Sequence, residues 1–142
     1  MSKKEGNTSL TCECRAEEVV LLPCSGGSNC GQIANQAAIE LQKEGIGNFY
    51  CLAGLGAHVE GMIESVRSAK RIVAIDGCKV ACAQKTIEQA GLDVTDWVCV
   101  TEEGISKNHD FNLAPEDINH IAERVKESLS ESLIESNKPE LV

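Results

Sequence analysis

Hydrophobic and polar residues alternate along this chain in two patterns, one of short apolar runs and one of longer amphipathic stretches. A short, mostly apolar run bounded by glycine, proline or polar residues is typical of a strand that is covered on both faces. Four such runs occur, and each is followed by a stretch with helical spacing. The predicted strands are Glu18–Pro23, Ile46–Leu52, Arg71–Ile75 and Val94–Thr101.

The stretches between these runs place apolar residues three or four positions apart, as a helix with one buried face does. After the first strand, Ile33 and Leu41 mark such a face, and Ser28 or Asn29 can cap the start of the helix. The predicted helices span 29–44, 58–69, 78–90 and the residues from Pro115 onward, the last with Ile118, Ile121, Val125 and Leu129 inward. A glycine-rich turn is predicted at 53–57.

This alternation predicts the fold class. Strands that alternate with long helices form βαβ units and a parallel sheet, and right-handed crossovers place helices on both faces. We therefore expect a single-domain, three-layer α/β fold of the flavodoxin or Rossmann-like type, with strand order 2-1-3-4 and a crevice between strands 1 and 3. The domain is predicted over 17–128, after a flexible segment at 1–16 and before a helix end and tail at 129–142.

Composition narrows the function classes. The formal net charge of −9 argues against a nucleic-acid-binding face and against docking on anionic membranes. No apolar run approaches the length of a membrane span, and no secretory signal is recognised, so a cytoplasmic location is expected. The chain has eight cysteines, and in a reducing compartment these favour metal or redox chemistry over disulfides.

Four of the cysteines fall where predicted strands end. Cys24 follows the first strand, Cys51 lies near the end of the second, and Cys78 follows the third. Cys82 comes four residues after Cys78, a spacing that shares one face of a helix. Because parallel strands end at the same edge of a sheet, these four thiols are predicted to form a site for tetrahedral Zn²⁺ or, alternatively, an iron–sulfur cluster.

The remaining cysteines allow several roles. Cys30 lies at the start of a predicted helix and is a redox partner, a substitute ligand or a plain helix-entry residue. Cys12 and Cys14 either recruit metal from the amino-terminal segment or form an exposed pair without partners. Cys99 sits inside an apolar strand and is predicted to be a core residue.

Other polar residues near the strand ends are candidates for supporting roles. Asp76 precedes a glycine and is an accessory group beside the metal, a general base or simply a turn former. The glycine-rich segment at 25–28 is predicted to turn the chain so that backbone N–H groups approach the sulfurs. His58 and His109 are predicted to be surface loop residues rather than ligands.

These motifs together resemble the DGC-domain family, which takes its name from an Asp-Gly-Cys motif. The segments that carry the resemblance are 23–32, 50–57, 75–83 and 108–111, within a region of roughly Glu18 to Val125. The resemblance implies a zinc-binding domain whose cysteines correspond to Cys24, Cys51, Cys78 and Cys82, and it implies no particular reaction. Cys30 departs from the family pattern, which has an apolar residue there.

The sequence therefore predicts a zinc-binding protein with a metal-handling or structural role. Four thiolates around zinc leave no open position, which argues against catalysis, whereas three would leave room for a substrate. Two alternatives stay open. One is a redox or electron-transfer protein with an iron–sulfur cluster or reactive thiols, and the other is a metal-dependent enzyme of unknown substrate. The predicted partner is a metal ion, and no protein partner is indicated.

Overall fold

The computed structural model describes residues 18–136, with side chains up to residue 131. The predictions for Cys12, Cys14, the amino-terminal segment and the last six residues lie outside this range. Within it, no helix is long and apolar enough to cross a membrane.

Four parallel strands form one sheet in the order 2-1-3-4, so the predicted topology is confirmed. The strands are β1 (Val19–Pro23), β2 (Asn48–Phe49), β3 (Arg71–Asp76) and β4 (Asp96–Cys99). The longest pairing joins β1 to β3 over their whole lengths, from Val19 opposite Arg71 to Pro23 opposite Ile75. These two strands are buried on both faces, as a central parallel strand requires.

Helices cover both faces of the sheet and give the three predicted layers. One apolar core lies between the sheet and α1 with α5, and the other lies between the sheet and α2, α3 and α4. The helices are α1 (Asn29–Lys43), α2 (Leu52–Gly56), α3 (Glu60–Arg67), α4 (Cys82–Gln89) and α5 (Pro115–Ser136), with a 3-10 turn at Val100–Glu103.

Local signals place the start of α1 and the inner face of α5 as predicted. Ser28 is the N-cap of α1, and its hydroxyl accepts a hydrogen bond from the Gly31 N–H at 3.1 Å. In α5, Ile121, Val125 and Leu129 are buried in the first core. An amphipathic pattern and a capping residue were therefore sufficient signals for these elements.

The region after the second strand differs from the prediction. Pairing in β2 covers only Asn48–Phe49, and the predicted glycine-rich turn is the short helix α2. A Cβ on Gly54 would touch the flexible end of the Met62 side chain, which packs over this glycine. Leu55 is fully buried, so the hydrophobic contact of α2 with the core outweighs the turn propensity of its glycines.

Candidate functional site at the carboxyl edge of the sheet

Cys24 occupies the centre of the carboxyl edge of the sheet. Its backbone N–H donates to the Ile75 carbonyl at 2.9 Å and so extends the pairing of β1 with β3. Its half-buried Sγ accepts the Gly77 N–H at 3.3 Å, and the Gly26 N–H also points to it. Burial raises the pKa of the Cys24 thiol, and the charges of Asp76 and Cys82 add to this rise, which the two N–H groups only partly offset.

The glycine of the Asp-Gly-Cys motif allows three backbone segments to meet beneath this sulfur. A Cβ on Gly77 would lie 2.7 Å from the Gly31 nitrogen and 2.9 Å from the Cys30 carbonyl carbon. A Cβ on Gly31 would in turn overlap the backbone of Gly26. Only glycine at 77 permits this approach, and the approach directs the Gly77 N–H to Cys24.

The aspartate of the motif holds the corner between β3 and α4. Asp76 is buried, and its carboxylate accepts hydrogen bonds from the Ala83 N–H at 2.7 Å, the Gln84 N–H at 3.1 Å and the Trp97 Nε1–H at 2.9 Å. A carboxylate at a helix N-terminus stabilises the helix. With three donors already bound, Asp76 positions the start of α4 and is a poor choice for a general base.

A crevice of about 430 Å³ opens between the ends of β1 and β3, where the strand order predicted it. Cys24, Cys78 and Cys82 all line this switch-point crevice. Cys78 is half-buried and Cys82 is exposed. The structure thus brings three of the four predicted ligands to the wall of one cavity.

The predicted helical spacing of Cys78 and Cys82 is wrong, although both residues line the crevice. Helix α4 begins at Cys82, so Cys78 precedes it in a turn and helical spacing does not relate the two. The turn ends at Ala81, which has a left-handed φ of 60°. Ser25, directly after Cys24, has a similar φ of 52°, and such strained backbone is common at functional sites.

The loop at 105–109 forms the outer rim of the crevice, a role that sequence analysis missed. Buried Asn29 holds this loop: its Nδ2 donates to the Ser106 carbonyl at 2.8 Å, and its Oδ1 accepts the Asn108 N–H at 2.6 Å. Lys107 Nζ consequently lies 3.6 Å from Cys78 Sγ, and His109 lines the crevice while remaining exposed. The segment at 108–111, which carried part of the family resemblance, was the available signal.

Cys51 lies on the other side of Cys24, in a second cavity. This aromatic cleft, of about 680 Å³, opens between the carboxyl ends of β1 and β2, and both Cys24 and Cys51 line it. Cys51 is exposed and precedes α2 directly. The carboxyl edge therefore offers three thiols in one cavity and a fourth in its neighbour, with Cys24 common to both.

Two further cysteines are buried. Cys30 Sγ faces the Ile105 carbonyl at 3.7 Å. Burial raises the pKa of its thiol, as do the nearby Cys78 and Cys99. Cys99 lies in the core, as predicted, with Sγ 3.4 Å from Thr101 Oγ1.

The side chains do not form a closed coordination shell. Within residues 18–131, no three His, Cys, Asp or Glu side chains stand close enough together to hold a metal ion. The fit to a soft metal therefore rests on the donor set, which is three thiols around one crevice and backbone N–H groups aimed at the innermost sulfur. Thiolate sulfur is the preferred donor for zinc, copper(I) and iron–sulfur clusters.

Comparisons with known proteins agree with the motif analysis. The family model described as DGC domain matches residues 20–125. A curated relative, the anaerobic and virulence modulator AnvM of Pseudomonas aeruginosa, is 30% identical over 94 residues, which cover 66% of this chain and 72% of the relative. No solved structure matches the chain.

Proposed function

This chain belongs to the DGC-domain family, and from that premise we propose that it binds one thiolate-ligated metal ion, with Zn²⁺ the first candidate, in a metal-handling or structural role. The observation that carries the proposal is the convergence of Cys24, Cys78 and Cys82 on the switch-point crevice. Topological switch points are where open α/β sheets bind their ligands.

The electrostatics of Cys24 favour a cation over a free reactive thiolate. Burial and the neighbouring Asp76 and Cys82 raise the pKa of this thiol, whereas a nucleophilic cysteine needs a lowered pKa. A bound cation reverses the balance, because a coordinating thiol is deprotonated outright. The N–H groups of Gly26 and Gly77 then donate to a negatively charged sulfur, and charge strengthens these hydrogen bonds.

We assign the ligands in a definite order. Cys24, Cys78 and Cys82 form the set that would hold the ion, and Cys51 from the aromatic cleft is the fourth candidate. Cys30 could replace Cys51 only by turning its buried Sγ away from the Ile105 carbonyl. A fourth protein thiolate would give the closed site of a structural or carrier protein, and three thiolates would leave one position for an exogenous ligand. Asp76 contributes as a positioning residue through the start of α4.

The test is metal content after single Cys→Ser replacements, measured per chain on protein purified anaerobically from its native host. We expect the Cys24, Cys78 and Cys82 variants to lose the metal and Cys51→Ser to retain it weakly. Cys99→Ser is the matched control, because Cys99 is equally close to a strand end but buried in the core. Full occupancy in both Cys78→Ser and Cys82→Ser would overturn the proposal.

An iron–sulfur cluster is the second candidate, since the same thiols suit it. The name of the relative, an anaerobic modulator, gives a specific reason to test it, because such clusters are often oxygen-sensitive. The colour of the purified protein distinguishes an iron–sulfur cluster from zinc. A brown protein that absorbs in the visible and contains iron identifies the cluster, and a colourless protein that contains zinc identifies the first candidate.

A further inference from the structure

The aromatic cleft is the larger of the two cavities at the carboxyl edge, and the metal proposal uses only Cys24 and Cys51 of its lining. Its volume of about 680 Å³ exceeds the 430 Å³ of the switch-point crevice. A volume between about 300 and 1,000 Å³ is typical of sites for small molecules. The cleft therefore has the size of a ligand site in its own right.

The lining of the cleft is uncharged. Although 25% of the chain is charged and its net charge is −9, none of the described residues that line this cleft is Asp, Glu, Lys, Arg or His. Pro23, Leu52 and Ala53 supply apolar wall, and the hydroxyls of Ser25 and Thr86 donate to Asn35 Oδ1 and to the Cys82 carbonyl. A charged ligand would lose its hydration here without gaining a partner, so the cleft favours a neutral one.

Aromatic and sulfur groups are concentrated in this cleft. The chain has only four aromatic residues of the Phe, Tyr and Trp types, and Phe49 and Tyr50 both line the cavity. Tyr50 packs on the same face of the sheet as Cys24 and Leu52, whereas Phe49, which pairs with Leu21, points to the opposite face. The sulfurs of Cys24 and Cys51 add polarisable groups that pack well against aromatic rings.

We propose that the aromatic cleft between the ends of β1 and β2 is a binding site for a neutral aromatic small molecule. Its ring lies against Tyr50, Leu52 and Ala53, beside the Cys24 and Cys51 sulfurs. A second protein chain is a less suitable occupant, because the cavity is concave and the edge strand β2 offers only two residues for pairing. The proposal does not require a bound metal.

The test uses N-phenyl-1-naphthylamine, a neutral dye that fluoresces in apolar surroundings, titrated into the full chain. We expect saturable binding, and we expect Tyr50→Ser to weaken it about tenfold or more through loss of the ring contact. Phe111→Ser is the matched control, because Phe111 is 54% exposed and lies outside the cleft. Its affinity for the dye should equal that of the unmodified chain.

Two further measurements keep the proposal falsifiable. Ala53→Trp fills the cleft from an exposed position and should abolish binding while thermal unfolding shows the variant to be folded. The anionic dye 1-anilinonaphthalene-8-sulfonate should bind more weakly than the neutral one. Equal losses in Tyr50→Ser and Phe111→Ser, tighter binding of the anionic dye, or a dimer that Tyr50→Ser dissociates would each overturn the proposal.

Discussion

The ion pair at the amino-terminal edge of the sheet and the cysteines at its carboxyl-terminal edge differ in how fully they are hydrogen-bonded. At the amino-terminal edge, Arg71 and Asp96 begin neighbouring strands and form a bidentate ion pair, with Arg71 Nε 3.1 Å from Asp96 Oδ1 and Arg71 Nη2 2.6 Å from Oδ2. Thr95 and Ser128 donate to the same carboxylate. Asp96 is 4% exposed, and both of its carboxylate oxygens accept hydrogen bonds from protein side chains.

At the carboxyl-terminal edge the sulfurs keep unused bonding capacity. Cys24 and Cys78 are half-buried, Cys51 and Cys82 are exposed, and cavities open between them. Buried polar groups that are fully paired stabilise a unique fold, whereas groups with free lone pairs beside a cavity are able to bind ligands. The contrast indicates that the amino-terminal ion pair serves stability, whereas the sulfurs of the carboxyl-terminal edge are available to a ligand.

The largest expected effect is a loss of stability when the ion pair at the amino-terminal edge is broken. Asp96→Ala leaves the Arg71 guanidinium, 18% exposed, without its partner, and we expect a loss of about 3 kcal/mol in the free energy of unfolding. Urea denaturation at neutral pH measures it. Asp93→Ala, an exposed acid three residues earlier, should change stability by less than about 0.5 kcal/mol. Equal losses would remove the distinction between the two edges.

The same carboxylate predicts an acid dependence. Burial alone would raise the pKa of Asp96, but hydrogen bonds from Thr95, Ser128 and Arg71 and the charge of Arg71 outweigh it and lower the pKa. Its stabilisation is therefore complete above the ordinary carboxyl pKa of about 4 and is lost as pH falls through the lowered value. The stability difference between the unmodified chain and Asp96→Asn should shrink over that range. A difference that stays constant would exclude Asp96 as the titrating group.

A smaller loss is expected where the carboxyl-terminal edge contains its own structural acid. Asp76→Ala removes the acceptor of two N–H groups of α4 and of the Trp97 indole, and we expect it to cost about 2 kcal/mol. Trp97 is the only tryptophan, so its emission should shift at the same time. Glu88→Ala, an exposed acid in the same helix, is the control. If Asp76→Ala leaves the free energy of unfolding unchanged, Asp76 does not stabilise this edge.

The smallest effect concerns backbone strain beside Cys82. Ala81 has a left-handed φ of 60°, and glycine adopts that conformation without a steric penalty. Ala81→Gly should therefore raise the free energy of unfolding by about 0.5 kcal/mol. Ala90→Gly, at a φ of −81°, should lower it instead. If both variants lose stability, the turn before α4 does not store strain.

Local pattern in the sequence determined most of the fold and part of the site. The β1 to β4 alternation with helices, the inner faces of α1 and α5 and the core position of Cys99 follow from hydrophobic periodicity and capping, which act over a few residues. The topology rules for parallel sheets then placed Cys24 and Cys78 at one crevice. They did so without knowledge of any side-chain contact.

Only the tertiary structure determines which other side chains join Cys24 and Cys78 at the carboxyl edge of the sheet. The contacts of Asn29 with the rim loop span 77 and 79 residues, and no local pattern encodes a hydrogen bond of such separation. The position of Cys51 in the neighbouring cleft depends on the end of β2 and on the packing of α2, both of which tertiary contacts set against the turn propensity of the glycines. Side-chain direction at a strand end is determined by what packs around it, because the regular alternation of the strand stops there.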